Sequence, residues 1–216
     1  MTTEHVHAPA HAADRLAPDS EWAAVSVPEV ARVPVDEGLI EVAAEMAPGK
    51  ALDLGCGSGQ DSVWLAQRGW VVTGVDISPG AVGEARDTAA TAGVTVVFDV
   101  ADITDWRPAS RFDLVVSTFA LPARGMGRSR MLEMAAAAVA PGGSILLTEF
   151  DISLGREGWM AEKHLVSTAE LERHLDGFRI NRSVTRIARH RHGYDERILP
   201  VANVVATRRT DLRTPY

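Results

Sequence analysis

Short apolar runs recur along this chain, and segments with apolar residues every three or four positions lie between them. Leu52-Asp53-Leu54, residues 70–76, 94–103 and 111–117, and a run opening at Pro141-Gly142-Gly143 read as five strands. Residues 36–46 put Leu39, Ile40, Ala43 and Met46 on one helical face, carry acids in the first turn, and stop at Pro48-Gly49. Residues 60–68 predict a second helix, ended by Gly69. Residues 78–92 predict a third, with Pro79 in its first turn, Val82, Ala85 and Ala89 facing inward, and Gly93 beyond its end. Residues 126–140 carry Met131, Met134, Ala135, Ala138 and Val139 at helical spacing, where methionine is core filler. Ser167 and Glu170 make a capping box for a helix running to about residue 176. Residues 178–188 and 201–207 read as a last pair of strands, joined by a turn region over 190–200 that is expected to face away from the glycine turn described below. Strands alternating with helices imply right-handed crossovers and a doubly wound α/β sheet in a single domain.

The ends lack this pattern. Residues 1–20 are rich in Ala, His, Pro and Asp and are expected to be a mobile tail; residues 209–216 form a C-terminal tail. His5, His7 and His11 have no cysteine or paired carboxylate to complete a ligand set, so no metal is expected. Residues 21–35 hold Trp22, Val25, Val27, Val30 and Val33, with Pro28 and Pro34 breaking any long helix. That apolar stretch is expected either as a flap over the site or as plain packing. Residues 36–208 form the folded domain.

Composition narrows the function. With 216 residues, 46% of them hydrophobic, the chain can bury one sizeable core. A formal net charge of -7 disfavours nucleic acid or an anionic membrane as main partner, because phosphate binding needs a basic face. No apolar run approaches a membrane span, no signal-peptide core precedes residue 20, and the single cysteine allows no internal disulfide. A cytoplasmic protein, monomer or homodimer, is the expectation.

The chemistry concentrates at Asp53-Leu54-Gly55-Cys56-Gly57-Ser58-Gly59-Gln60. A strand entering a glycine-rich turn and then a helix lets backbone approach a ligand closely. A dinucleotide fingerprint needs a small residue where Gln60 stands, and a phosphate loop needs Gly-Lys-Ser/Thr, which is absent. Asp76 follows about 20 residues after the turn, at a strand end, where an acid meets ribose hydroxyls. Cys56, inside the turn, reads as a small buried filler.

The pattern Asp-x-Gly-x-Gly-x-Gly, followed in order by strands ending in Asp76, Asp102 and Ser117, resembles the class I S-adenosylmethionine (SAM)-dependent methyltransferases over roughly residues 36–208. The overall plan is similar to the small bacterial thiopurine and tellurite-resistance type. The resemblance implies a Rossmann-like seven-stranded sheet of order 3-2-1-4-5-7-6 with the last strand antiparallel. It implies SAM as cofactor, bound by Asp53, Gly55, Cys56, Gly57, Gly59, Asp76, Ile77, Asp102, Ile103 and Ser117. Asp53 would help hold the amino-acid end, Asp76 the ribose, and Asp102 and Ile103 would flank adenine.

The acceptor is less defined. Ser117-Thr118-Phe119-Ala120 departs from the Asn/Asp-Pro-Pro-Tyr/Phe of enzymes that methylate bases or glutamine amides, and the cysteines of C5-cytosine or arsenic chemistry are missing. A small molecule methylated on O, S or N is the expected acceptor. Trp22, Phe119 and Arg124 are candidate substrate contacts, with Arg124, Arg128 and Arg130 weighed against a plain solvated loop. His164, Asp151 and Glu149 are candidate bases, needed only if the acceptor holds its proton at neutral pH. Competing readings are a SAM-binding protein without transfer, an enzyme using bound SAM for non-transfer chemistry, and an NAD oxidoreductase, which Gln60 disfavours.

Overall fold

A computed structural model describes residues 34–155, 162–192 and 195–210. The expected tail over 1–20, Trp22, the flap up to residue 33 and the chain end from residue 211 lie outside the described residues.

Helices start where side chains replace missing backbone partners. Asp36 caps α1 (Glu37–Ala44), accepting from the Leu39 amide at 3.0 Å. Ser78 caps α3 (Pro79–Ala92) with the Ala81 amide at 3.3 Å, and left-handed Gly93 ends it. Ser167 caps α5 (Thr168–Glu172), as the capping-box spacing predicts. By contrast α2 (Gln60–Ala66) begins straight from left-handed Gly59 with no capping side chain. The remaining helix is α4 (Met126–Ala138).

Seven strands form one sheet: β1 (Lys50–Leu54), β2 (Val71–Asp76), β3 (Val97–Val100), β4 (Phe112–Thr118), β5 (Val139–Phe150), β6 (Phe178–His192) and β7 (Asp195–Arg208). Their order is β3-β2-β1-β4-β5-β7-β6, the expected one. β1 to β5 run parallel, and β7 is antiparallel to both its neighbours. Successive residues of the central strands feed two cores. Leu52, Leu54, Val115, Ile145 and Leu147 pack with Met131, Ala135 and Leu171 of α4 and α5. Ala51, Leu114, Val116 and Leu146 pack with Leu39, Val42 and Leu65 of α1 and α2. The winding reverses between β1 and β4, so the crevice lies beyond their carboxyl ends.

The largest departure from the sequence expectation is the last hairpin. The β6–β7 ladder continues without a break from Ile187↔Pro200 to His192↔Asp195, so the expected turn over 190–200 is mostly strand. β5 pairs with β7 only as far as Phe150↔Val201. The outer part of the hairpin therefore projects past β5 at the carboxyl edge. It rises on the glycine-turn side of the sheet, not away from it as expected. The charged Arg189-His190-Arg191-His192 reads as a turn, yet an outer strand tolerates charge because it has one unpaired edge. β5 also starts earlier than expected, with Pro141-Gly142-Gly143 inside it, beside a register shift between Phe112 and Leu114.

Candidate functional site

The glycines of the β1–α2 turn serve different ends. Gly55, Gly57 and Gly59 have φ of 74°, 51° and 81°, a region that L side chains adopt at a cost. A Cβ at Gly55 would overlap the Ala120 Cβ at 2.1 Å, and one at Gly59 would meet the Ala85 Cβ at 2.9 Å and the Phe98 ring at 3.2 Å. A Cβ at Gly57 would meet nothing within 4 Å. Two glycines thus allow chain segments to pack closely, while Gly57 fronts open space.

Asp76 completes this frame. Its Oδ2 accepts the Gly57 amide at 2.9 Å and its Oδ1 the Ser78 amide at 2.8 Å. Burial raises its pKa, and the backbone donors oppose that rise. The amides of Gly55 and Cys56 both donate to the Val75 carbonyl, at 2.8 and 3.0 Å, so β2 sets the height of the turn. Ile77 is half-buried beside Asp76. Cys56 is buried with Val63, Val82, Ala85 and Phe98, and burial pushes its thiol well up. Asp102 lies two residues beyond β3 and accepts the Thr104 amide at 2.8 Å, but Ile103 packs into the core with Leu54 and Val75.

Asp53 is 1% exposed under the turn and accepts the Ser62 hydroxyl at 2.6 Å, which braces α2 against β1. Asp61, also buried, accepts the Asp36 amide at 3.2 Å and the Thr118 hydroxyl at 2.8 Å. Burial raises both carboxyls; Asp61 raises Asp53 further, and Asp36 raises Asp61. Thr118, Thr148 and Asn203 stand in one register row across β4, β5 and β7. Asn203 donates to the Thr148 hydroxyl, which donates to Asp36, and Arg186 of β6 reaches Asp36 at 3.5 Å. A polar layer thus runs from the glycine turn to the outer hairpin, on the α1–α2 side.

The acceptor-side candidates separate. Ser117 is fully buried, and its hydroxyl has no hydrogen-bond partner. Phe119, the one non-glycine among the described residues with positive φ (55°), packs on Phe150 with ring centroids 4.8 Å apart. Glu149 is 2% exposed and accepts the amides of Ala120 and Leu121 with the same Oε1, at 2.9 and 3.0 Å. Burial pushes it up to about 8, against those two donors and Arg128. Asp151 is buried too and accepts from the Ser153 amide and the Thr185 hydroxyl. Among the base candidates, His164 is half-buried in a short 3-10 turn, Glu162–His164. Arg124 is 49% exposed, with its guanidinium 3.8 Å from Glu170.

Sequence reading missed two residues. Arg128 is buried, not part of a solvated loop: it donates to the carbonyls of Pro122, Lys163 and Leu165 and pairs with Glu170 at 3.0 Å. Its signal was its position three before Met131 and seven before Ala135, on the core stripe of α4. Asp61 follows Gln60 at the helix start and carries no local sign that its carboxylate is buried.

Residues 51–143 match a family model described as a methyltransferase domain. A 2-heptyl-1-hydroxyquinolin-4(1H)-one methyltransferase of Mycobacteroides abscessus is 33% identical over 106 residues, 48% of this chain and 47% of that protein. TehB of Haemophilus influenzae superposes with a TM-score of 0.71 at 18% identity, covering 81% of this chain and 63% of that one. A protein solved in work on the conversion of a disulfide bond into a thioacetal group during echinomycin biosynthesis gives 0.69 at 23% identity, covering 83% and 84%. The chain spans less than half the length of that curated relative. Its sheet is the class I methyltransferase sheet, and among the described residues no helix is long and apolar enough to cross a membrane.

Proposed function

We propose that this chain is a SAM-dependent methyltransferase that acts on a small molecule at oxygen, sulfur or nitrogen. One observation carries the reading: Gly57 fronts open space at the β1–β4 reversal while its amide is fixed by Asp76. That pairing fits a nucleoside donor, with backbone close to the ligand and an acid at the lip for ribose hydroxyls. Asp102 suits the adenine side. Asp53, tied to Ser62, braces the turn from below. When bound, SAM supplies a methyl on a positively charged sulfur, already activated for in-line displacement.

The chain's own residues then have to hold the acceptor in line and exclude water. Phe119 and the loop it opens form one wall. The outer β6–β7 hairpin rises on the same edge. Residues 21–35, read from the sequence as a flap, lead into Asp36, which is tied to Asp61 and Thr148. The acidic net charge and the activity for which the hydroxyquinolone relative is named favour a small acceptor over a nucleic acid.

Calorimetry with SAM and with NAD tests the donor half: heat on adding NAD and none on adding SAM overturns the reading. Labelled methyl transfer to a small-molecule panel tests the acceptor half; label in bulk RNA or DNA alone overturns it. Removing residues 1–35 is expected to lower turnover far more than donor affinity.

A further inference from the structure

We propose that Glu149 is a positioning residue: through Oε1 it clasps the loop after β4 against the glycine turn. This rests on reading the β4–β5 side of the crevice as the acceptor wall. The two amides that Oε1 accepts, Ala120 and Leu121, are consecutive and follow Phe119 with its positive φ. The clasp thus sits where the chain makes its least favourable backbone turn. It also sets the spacing between the two halves of the crevice, because Ala120 occupies the place that a side chain at Gly55 would need. Leu121 is locked into the core beneath.

The next residue of the same loop is fixed by Arg128, whose Nε donates to the Pro122 carbonyl at 2.8 Å. Three successive residues of one loop are therefore held by two buried ionisable side chains, and the Arg128 charge opposes the rise that burial imposes on Glu149. Glu149 is 2% exposed, and its Oε1 is already committed to two donors. With a pKa of about 8 the group is mostly a neutral carboxylic acid at neutral pH, with Oε2 left to carry the proton. Glutamine presents the same carbonyl oxygen in the same place; alanine presents none.

Hydrogen exchange on the full chain tests this without any substrate. The amides of Ala120 and Leu121 are expected to exchange at least about 100-fold more slowly than free-peptide amides, and Glu149→Gln is expected to keep that protection within about threefold. Glu149→Ala is expected to lose at least about tenfold of it and to become at least about tenfold more sensitive to trypsin after Arg124, which is already exposed. Fast exchange of both amides in the unmodified protein overturns the clasp. So does a Glu149→Gln variant that behaves like Glu149→Ala, or that fails to fold. Rescue by glutamine shows that the carbonyl oxygen, not the charge, holds the loop. SAM calorimetry on the unmodified protein is read separately, so loss of the donor reading leaves the exchange result standing.

Discussion

The two sides of the crevice are built by different means. On the β1–β2 side the working atoms are backbone amides, set by three left-handed glycines and one acid within residues 53–78. On the β4–β5 side the loop is held by side chains from distant stretches: Glu149 reaches Ala120 and Leu121, and Arg128 reaches Lys163, Leu165 and Glu170. The first side is hydrogen-bonded within that one stretch, whereas the second is a set of pairs 28 to 42 residues apart.

The sharpest break in that comparison is expected from Gly57→Val. Valine there needs a φ of 51° and fills the open space, so donor affinity should fall by at least about 100-fold, roughly 2.7 kcal/mol, with the circular dichroism unchanged. Calorimetry on the folded variant checks it, and normal SAM binding would move the cradle elsewhere.

Asp76→Ala comes next. Losing a charged acceptor is expected to weaken donor binding by roughly 1–3 kcal/mol. The Gly57 and Ser78 amides lose their partner as well, so the turn should loosen too. An unchanged donor affinity in a folded variant would remove Asp76 from the site.

Asp53→Asn sharpens the comparison through pH. Burial and Asp61 hold the Asp53 carboxyl above its ordinary 3.8, so the folded chain keeps protons that the unfolded chain releases. Its contribution to stability is full below about pH 4 and is lost as pH rises through the raised value. Without donor, the melting temperature is expected to drop between about pH 5 and 8, and Asp53→Asn is expected to shrink that drop while matching the unmodified protein near pH 4. An equal drop in both proteins would show that Asp53 is not the group responsible.

The smallest effect belongs to the acceptor side's surface. Arg124→Ala is expected to change stability and donor affinity by less than about 0.5 kcal/mol, because exposed pairs contribute little. If Arg124 holds an acceptor, only the acceptor KM rises; a fall in melting temperature instead would make it structural.

The sequence was readable where structure is local. The glycine turn, the strand end at Asp76 and the cap at Ser167 all follow from residue types a few positions apart. The sheet order needed the family resemblance, because strand neighbours are not a local property. Arg128 was misread because an arginine in a Gly-rich, Arg-rich stretch looks solvated, and three of its partners, Lys163, Leu165 and Glu170, lie more than 30 residues away. The outer hairpin was shortened because charge marked a turn where the backbone simply had a free edge. Glu149 was found by position, but its task depends on two amides 28 and 29 residues upstream.

The place of β7 carries a consequence for how the protein is made. The last strand in sequence is not an edge strand; it is inserted between β5 and β6 and buries Val201, Ala202, Val204, Val205 and Ala206. Until it emerges from the ribosome, β5 has a bare edge of apolar Ile145, Leu146 and Leu147, and β6 has no neighbour at all. The glycine-turn half can assemble early from contacts close in sequence, while the β4–β5 half waits for β7. A nascent chain halted before Asp195 would therefore expose a sticky sheet edge beside an almost finished glycine turn, the kind of species that chaperones retain.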